Sequence, residues 1–115
     1  MLKAGQIFWA DLDTEDRRPV LVVSKESLNR GGFVVVLPFT SARFAERSRY
    51  ATSVPFSTNE CGLPKDCVAQ AEGITVAAVS SLDLATGPIG EVPEEKMREI
   101  VRAVGVMMDA QCEPE

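Results

Sequence analysis

Two aliphatic runs constrain this fold more than any other feature of the chain: Pro19-Val20-Leu21-Val22-Val23-Ser24 and Phe33-Val34-Val35-Val36-Leu37-Pro38-Phe39. Both are rich in β-branched residues and too short for buried helices, so they read as buried strands. The intervening Asn29-Arg30-Gly31-Gly32 is a turn that brings the second strand back beside the first. Arg17 and Arg18 precede the first run, and Thr40 and Ser41 follow the second. In neighbouring strands, basic and hydroxyl side chains then converge at one end.

The remaining segments extend this sheet. Gly5 to Leu12 alternates as a first strand, and Glu26 to Arg30 is a single helical turn. Thr52 to Ser57, Asp66 to Glu72, Ile74 to Val79 and a piece of Gly87 to Val92 are further short strands, with Pro55 marking an edge. Ala42 to Tyr50 has no clean period and reads as a mobile surface loop. Pro93 opens the clearest helix, with Met97, Ile100, Val101, Val104 and Met108 on one face. Many short strands and one terminal helix point to a mainly β fold, a small, strongly bent antiparallel sheet or partly open barrel.

At 115 residues the chain is one domain, 1–115, of ordinary soluble composition. No run approaches the roughly 18 apolar residues of a membrane span, nor does an apolar signal core open the chain, so a cytoplasmic location is expected. Cys61, Cys67 and Cys112 are odd in number and form no C-x-x-C pair, which argues against a disulfide framework and against zinc. The chain has no histidine. Any chemistry must therefore use arginine, carboxylates and hydroxyls, without an imidazole base or triad member.

The net charge is −5, but it is unevenly spread. Arg17 to Arg49 holds seven basic and two acidic residues, whereas Cys61 to the end holds four basic and ten acidic ones. The first half suits a polyanion. Arg17 and Arg18 are the leading candidates, because a guanidinium presents five donors in a planar fork that matches phosphate oxygens. The alternative places both in a solvated turn, paired with Glu15 and Asp16. Thr40 and Ser41 can donate to phosphoryl oxygens. Glu15 and Asp16 are carboxylates at the right place for a general base, although solvated turn positions explain them equally. Phe44 and Tyr50, in a loop with three arginines, offer stacking surfaces for unpaired bases; Trp9 and Phe39 read as core.

Several blocks carry a resemblance: Gly5-Gln6-Ile7-Phe8-Trp9-Ala10-Asp11-Leu12, Arg18-Pro19-Val20-Leu21-Val22-Val23-Ser24, Asn29-Arg30, Val36-Leu37-Pro38-Phe39-Thr40-Ser41 and Gly62-Leu63-Pro64-Lys65-Asp66-Cys67-Val68. In this order they resemble the MazF/PemK family of toxin endoribonucleases over about residues 3 to 109. The resemblance implies an SH3-like small barrel of the CcdB/PemK type, a homodimer, and a groove for single-stranded RNA. It also implies a cognate antitoxin, no cofactor and no metal, and cleavage that leaves a 2′,3′-cyclic phosphate and a 5′-hydroxyl. Carried over by position, Arg18 matches the family's catalytic arginine and Thr40 its catalytic threonine. Glu15 is the tentative base, and Arg17, Arg30, Ser41, Arg43 and Phe44 are the RNA-binding candidates.

The chain also departs from the family pattern. The loop before Arg18 is short, so a family carboxylate maps only loosely onto Glu15 or Asp16. Where the family often has Arg and Asp, this chain has Ile74 and Ala77. Two other readings follow: a family member that binds RNA or antitoxin without cleaving, and a CcdB-like toxin that grips a protein such as gyrase.

Overall fold

The structure is a computed structural model and describes residues 2–12 and 17–109. Its centre is the antiparallel set β1 (Gln6–Ala10), β2 (Arg18–Val22) and β3 (Phe33–Thr40). Between β2 and β3 the anticipated helical turn is a 3-10 helix, Glu26–Gly31. It closes on Gly32, whose φ of 89° is a left-handed conformation that costs glycine little.

Further along come α1 (Phe44–Arg47), β4 (Ser53–Phe56), β5 (Cys67–Gln70), β6 (Thr75–Ala78), β7 (Gly90–Glu91) and α2 (Glu94–Met107). The sheet runs β4-β5-β3-β2-β1-β7, and β6 also pairs with β3. β3 therefore changes partner along one side, from β6 at Phe33 to Val36 to β5 at Phe39 and Thr40. Pro38 sits at the switch, where a residue without an amide donor fits between the end of one ladder and the start of the next. Its ring lies against Gly73 in the 3-10 corner joining β5 to β6; a β-carbon there would come 2.7 Å from the proline Cγ.

Both faces of the central strands are buried, which is why they read as unbroken apolar runs. Ile7, Leu21, Leu37 and Phe39 pack in one core with Phe56, Leu63 and Ile100. Phe8, Val20, Val22, Val34 and Val36 pack in a second with Ala77 and Leu82. This is the bent, partly open barrel that the strand pattern anticipates, with its C-terminal helix laid over the first core.

Two local expectations are corrected. The helix faces the core with Met97, Ile100, Ala103, Val104 and Met107, while Val101 and Met108 are each 67% exposed. The buried stripe follows the 97-100-104-107 spacing, and residues 101 and 108 fall to its side. The segment Ala42 to Tyr50 contains the short helix α1, tied down where Ser48 Oγ donates to the Phe44 carbonyl at 2.6 Å and Tyr50 Oη to Glu46 at 3.0 Å. Those bonds are made by the polar side chains that obscured the periodicity. No helix of the described residues is long and apolar enough to cross a membrane.

Candidate active site

One end of the β2–β3 hairpin opens onto a cleft of about 340 Å³. The pairing of these strands includes Val20↔Pro38 and Val22↔Val36. Continued two residues further, this register sets Arg18 across from Thr40. Side chains alternate along a strand, so Arg18 extends the row of Val20 and Val22, and Thr40 that of Val34 and Val36. The rows that fill the second core thus end in a guanidinium and a hydroxyl, and both line the cleft.

Thr40 is buried and fixed from its other side by pairing with Val68 of β5. Its Oγ1 accepts from the Ala42 amide at 3.3 Å, which leaves the hydroxyl proton to donate. Arg18 is exposed, and its backbone is held against Ala10 of β1. Ser41 follows Thr40 on the cleft wall, while Pro19 and the buried Phe39 complete this side.

Arg17 is exposed and reaches across the fold to a distant carboxylate. Its Nη2 donates to Asp83 Oδ2 at 2.7 Å, and its guanidinium lies over the Trp9 ring, 5.9 Å from the centroid. Asp83 is fixed in turn by Thr86, whose hydroxyl donates to Oδ2 at 2.6 Å and whose amide donates to Oδ1 at 3.2 Å. The Thr86 hydroxyl and Arg17 together hold the Asp83 carboxyl down to about 2. Trp9 is half-buried, lines the cleft beneath Arg17 and belongs to neither core, which corrects the expectation that it packs as core.

Pro64, Lys65 and Cys67 form the facing wall. Burial first, then the charges of Asp66 and Glu60, push the Cys67 thiol up to about 11, so it is neutral at physiological pH. Among the described residues the cleft is lined by three cations, Arg17, Arg18 and Lys65, and by no carboxylate. Among these lining residues a phosphodiester would find donors and no carboxylate. Among the described residues, no three His, Cys, Asp or Glu side chains are grouped as a metal ion would need.

The other candidates are not gathered into this cleft. Arg30 ends the 3-10 helix at the opposite end of the hairpin. Arg43, in a left-handed conformation with an Nη1 3.7 Å from Glu46 Oε2, and Phe44 begin α1 just beyond the lining residue Ala42. Glu15 lies outside the described residues. At the positions of the family Arg and Asp, Ile74 packs on the first core and Ala77 sits inside the second, so neither lines the cleft.

The family model of PemK-like, MazF-like toxins of type II toxin-antitoxin systems matches residues 3–108. The chain belongs to that family. This toxin is 31% identical over 121 residues to the endoribonuclease MazF9 of Mycobacterium tuberculosis, covering 95% of this chain and 98% of the relative. Its fold matches the Mycobacterium tuberculosis toxin MazF-mt6 with a TM-score of 0.76 at 26% identity, over 90% of this chain and 96% of that one. A mycobacterial endoribonuclease solved in complex with its cognate antitoxin shares the fold with a TM-score of 0.78 at 24% identity, over 99% of this toxin and all of the other chain.

Two parts of the toxin's site escape a reading of its sequence. Asp83 lies 66 residues from Arg17 and meets it only because the segment after β6 returns beside β1. Lys65 arrives through the pairing of β5 with β3; its only local signal is its place in the Gly62-to-Val68 block.

Proposed function

We propose that this toxin is an endoribonuclease that cuts single-stranded RNA by transesterification without a metal, with Arg18 and Thr40 holding the scissile phosphate. The observation that carries this reading is the convergence of those two side chains in a cleft lined by cations. The RNA's own 2′-oxygen attacks phosphorus, the bond to the 5′-oxygen breaks as that oxygen takes up a proton from solvent water, and the products are a 2′,3′-cyclic phosphate and a 5′-hydroxyl. The protein must align these atoms and stabilise the crowded phosphorane anion. Arg18 supplies charge and paired donors to the phosphoryl oxygens, and the Thr40 hydroxyl donates to the same group. Glu15 accepts the 2′-hydroxyl proton in this scheme. The half-buried Trp9 offers a stacking surface to an adjacent base.

The toxin acts as a homodimer in the cytoplasm and is neutralised by a cognate antitoxin that competes for the cleft. Phe33 on β3 and Val76 on β6, 60% and 63% exposed, give one sheet face the apolar surface that a second copy would cover.

Incubation with a long unstructured RNA in excess EDTA tests the chemistry. Discrete fragments with 5′-hydroxyl ends, lost in Arg18→Ala, are the expected result; RNA left intact by folded protein would refute cleavage.

A further inference from the structure

We infer that Lys65 is an RNA-backbone contact, holding a phosphate on the wall of the cleft that faces Arg18; this rests on reading the cleft as the RNA site. Thr40 lies between two flanking segments. Its register with β2 brings Arg18 to one side, and its pairing with Val68 brings the Pro64-to-Cys67 segment to the other. Lys65 is exposed and lines the cleft from that second side.

Two neighbouring charged groups among the described residues are already committed. Asp66, next in sequence, accepts from the Thr58 amide at 2.7 Å and from its hydroxyl at 2.9 Å, which ties its carboxylate into the preceding turn. Arg17 is bound to Asp83. Of the three lining cations, Arg18 and Lys65 therefore supply the charge that the Arg17–Asp83 pair does not. They lie on opposite sides of one buried hydroxyl, and a polyanion threading the cleft passes between them. The lysine ammonium suits a flanking phosphate, where point charge matters more than the planar geometry an arginine provides.

The wall that carries Lys65 is firmly seated. Leu63 is fully buried, and the backbone at Gly62 crosses Ile89 so closely that a β-carbon on Gly62 would fall on the Ile89 carbonyl. A lysine presented from such a fixed turn loses less freedom on contacting a phosphate than one on a loose loop.

Salt dependence separates this role from a structural one. A fluorescein-labelled, random-sequence 2′-O-methyl RNA 15-mer has no 2′-hydroxyl to attack, and its affinity for the full chain is measured by anisotropy between 50 and 200 mM KCl. Each neutralised phosphate contributes about 0.7 to the slope of log affinity against log salt for a single strand. Lys65→Ala should lower that slope by about 0.7, so that the affinity lost across this salt range shrinks by roughly 2.6-fold. Lys65→Arg should retain the wild-type slope, and Lys25→Ala, an exposed lysine outside the cleft, should leave it unchanged. With cleavable RNA, Lys65→Ala should raise KM. An unchanged slope in Lys65→Ala, while Arg18→Ala lowers it, would overturn the assignment of Lys65 alone. No binding by the unsubstituted toxin would overturn the RNA reading of the cleft and this inference with it.

Discussion

Arg17 and Asp83, 66 residues apart, meet through a 2.7 Å hydrogen bond beside the chain's single tryptophan. The carboxyl titrates well below its ordinary 3.8, at about 2. For a carboxyl held low in the folded chain, the favourable interaction is complete above the ordinary value and is lost as pH falls through the folded one. Trp9 emission should therefore be steady above about pH 3 and change in a step centred near pH 2, as the Arg17 guanidinium loses its anchor over the ring. Asp83→Asn should abolish that step while far-ultraviolet circular dichroism reports folded protein. Identical titrations for the two proteins would show that this pair does not hold Arg17 at the cleft.

Loss of the Thr40 hydroxyl should separate rate from stability. Thr40→Val keeps the shape and removes the acceptor for the Ala42 amide, an expected cost of about 1 kcal/mol in urea unfolding. If the hydroxyl also donates to the phosphorane, cleavage of RNA should fall on the order of 10²-fold to 10³-fold, as for loss of one preorganised donor. Thr40→Ser should restore most of the rate. Equal rates for the valine and serine variants would exclude that donation, leaving Thr40 a purely structural residue.

Much of this arrangement is legible in the sequence alone, and the reasons are local. Two apolar runs joined by Gly31-Gly32 can only return antiparallel within so few residues, and this brings Arg18 and Thr40 to the same end. Cys67 and Lys65 reach the cleft, and Asp83 reaches Arg17, by pairings between distant segments that their sequence neighbours do not encode. Helix α2 shows a finer limit. Its apolar residues cover more than one face, so the sequence admits a stripe through Val101 and Met108 that packing against the sheet does not use. The α1 segment was obscured differently, because side-chain bonds from Ser48 and Tyr50 support a turn of helix that has no apolar face of its own.

Cys67 lines the cleft yet should react sluggishly. Its thiol is pushed up to about 11, chiefly by burial, and only the thiolate is nucleophilic. Cys61 is shifted upward as well, again chiefly by burial. In a Cys112→Ser background, alkylation by iodoacetamide at pH 7.5 should be slow for both remaining thiols and should rise for Cys67 only as pH approaches 11. RNA cleavage should survive iodoacetamide treatment at neutral pH. Rapid stoichiometric labelling of Cys67 at pH 7.5 would contradict the buried, neutral thiol.

Gly90 and Gly62 mark where the wall bearing Lys65 is fastened to β7. A β-carbon on Gly90 would fall on the Cys61 carbonyl, and one on Gly62 on the Ile89 carbonyl; the contacts are main chain to main chain, which no rotamer change can relieve. Gly90→Ala should therefore cost about 3 kcal/mol or more, the upper end of overpacking penalties, measured by urea unfolding. It should also weaken RNA binding in the fraction that stays folded, because the displaced segment leads directly into Leu63, Pro64 and Lys65. Gly31→Ala provides the comparison: nothing lies within 4 Å of its added β-carbon and its φ is not left-handed, so the change should be neutral or stabilising by up to about 1 kcal/mol. Equal stabilities for the two alanine variants would mean that the crossing at Gly90 relaxes freely, and that the Lys65 wall is not held by it.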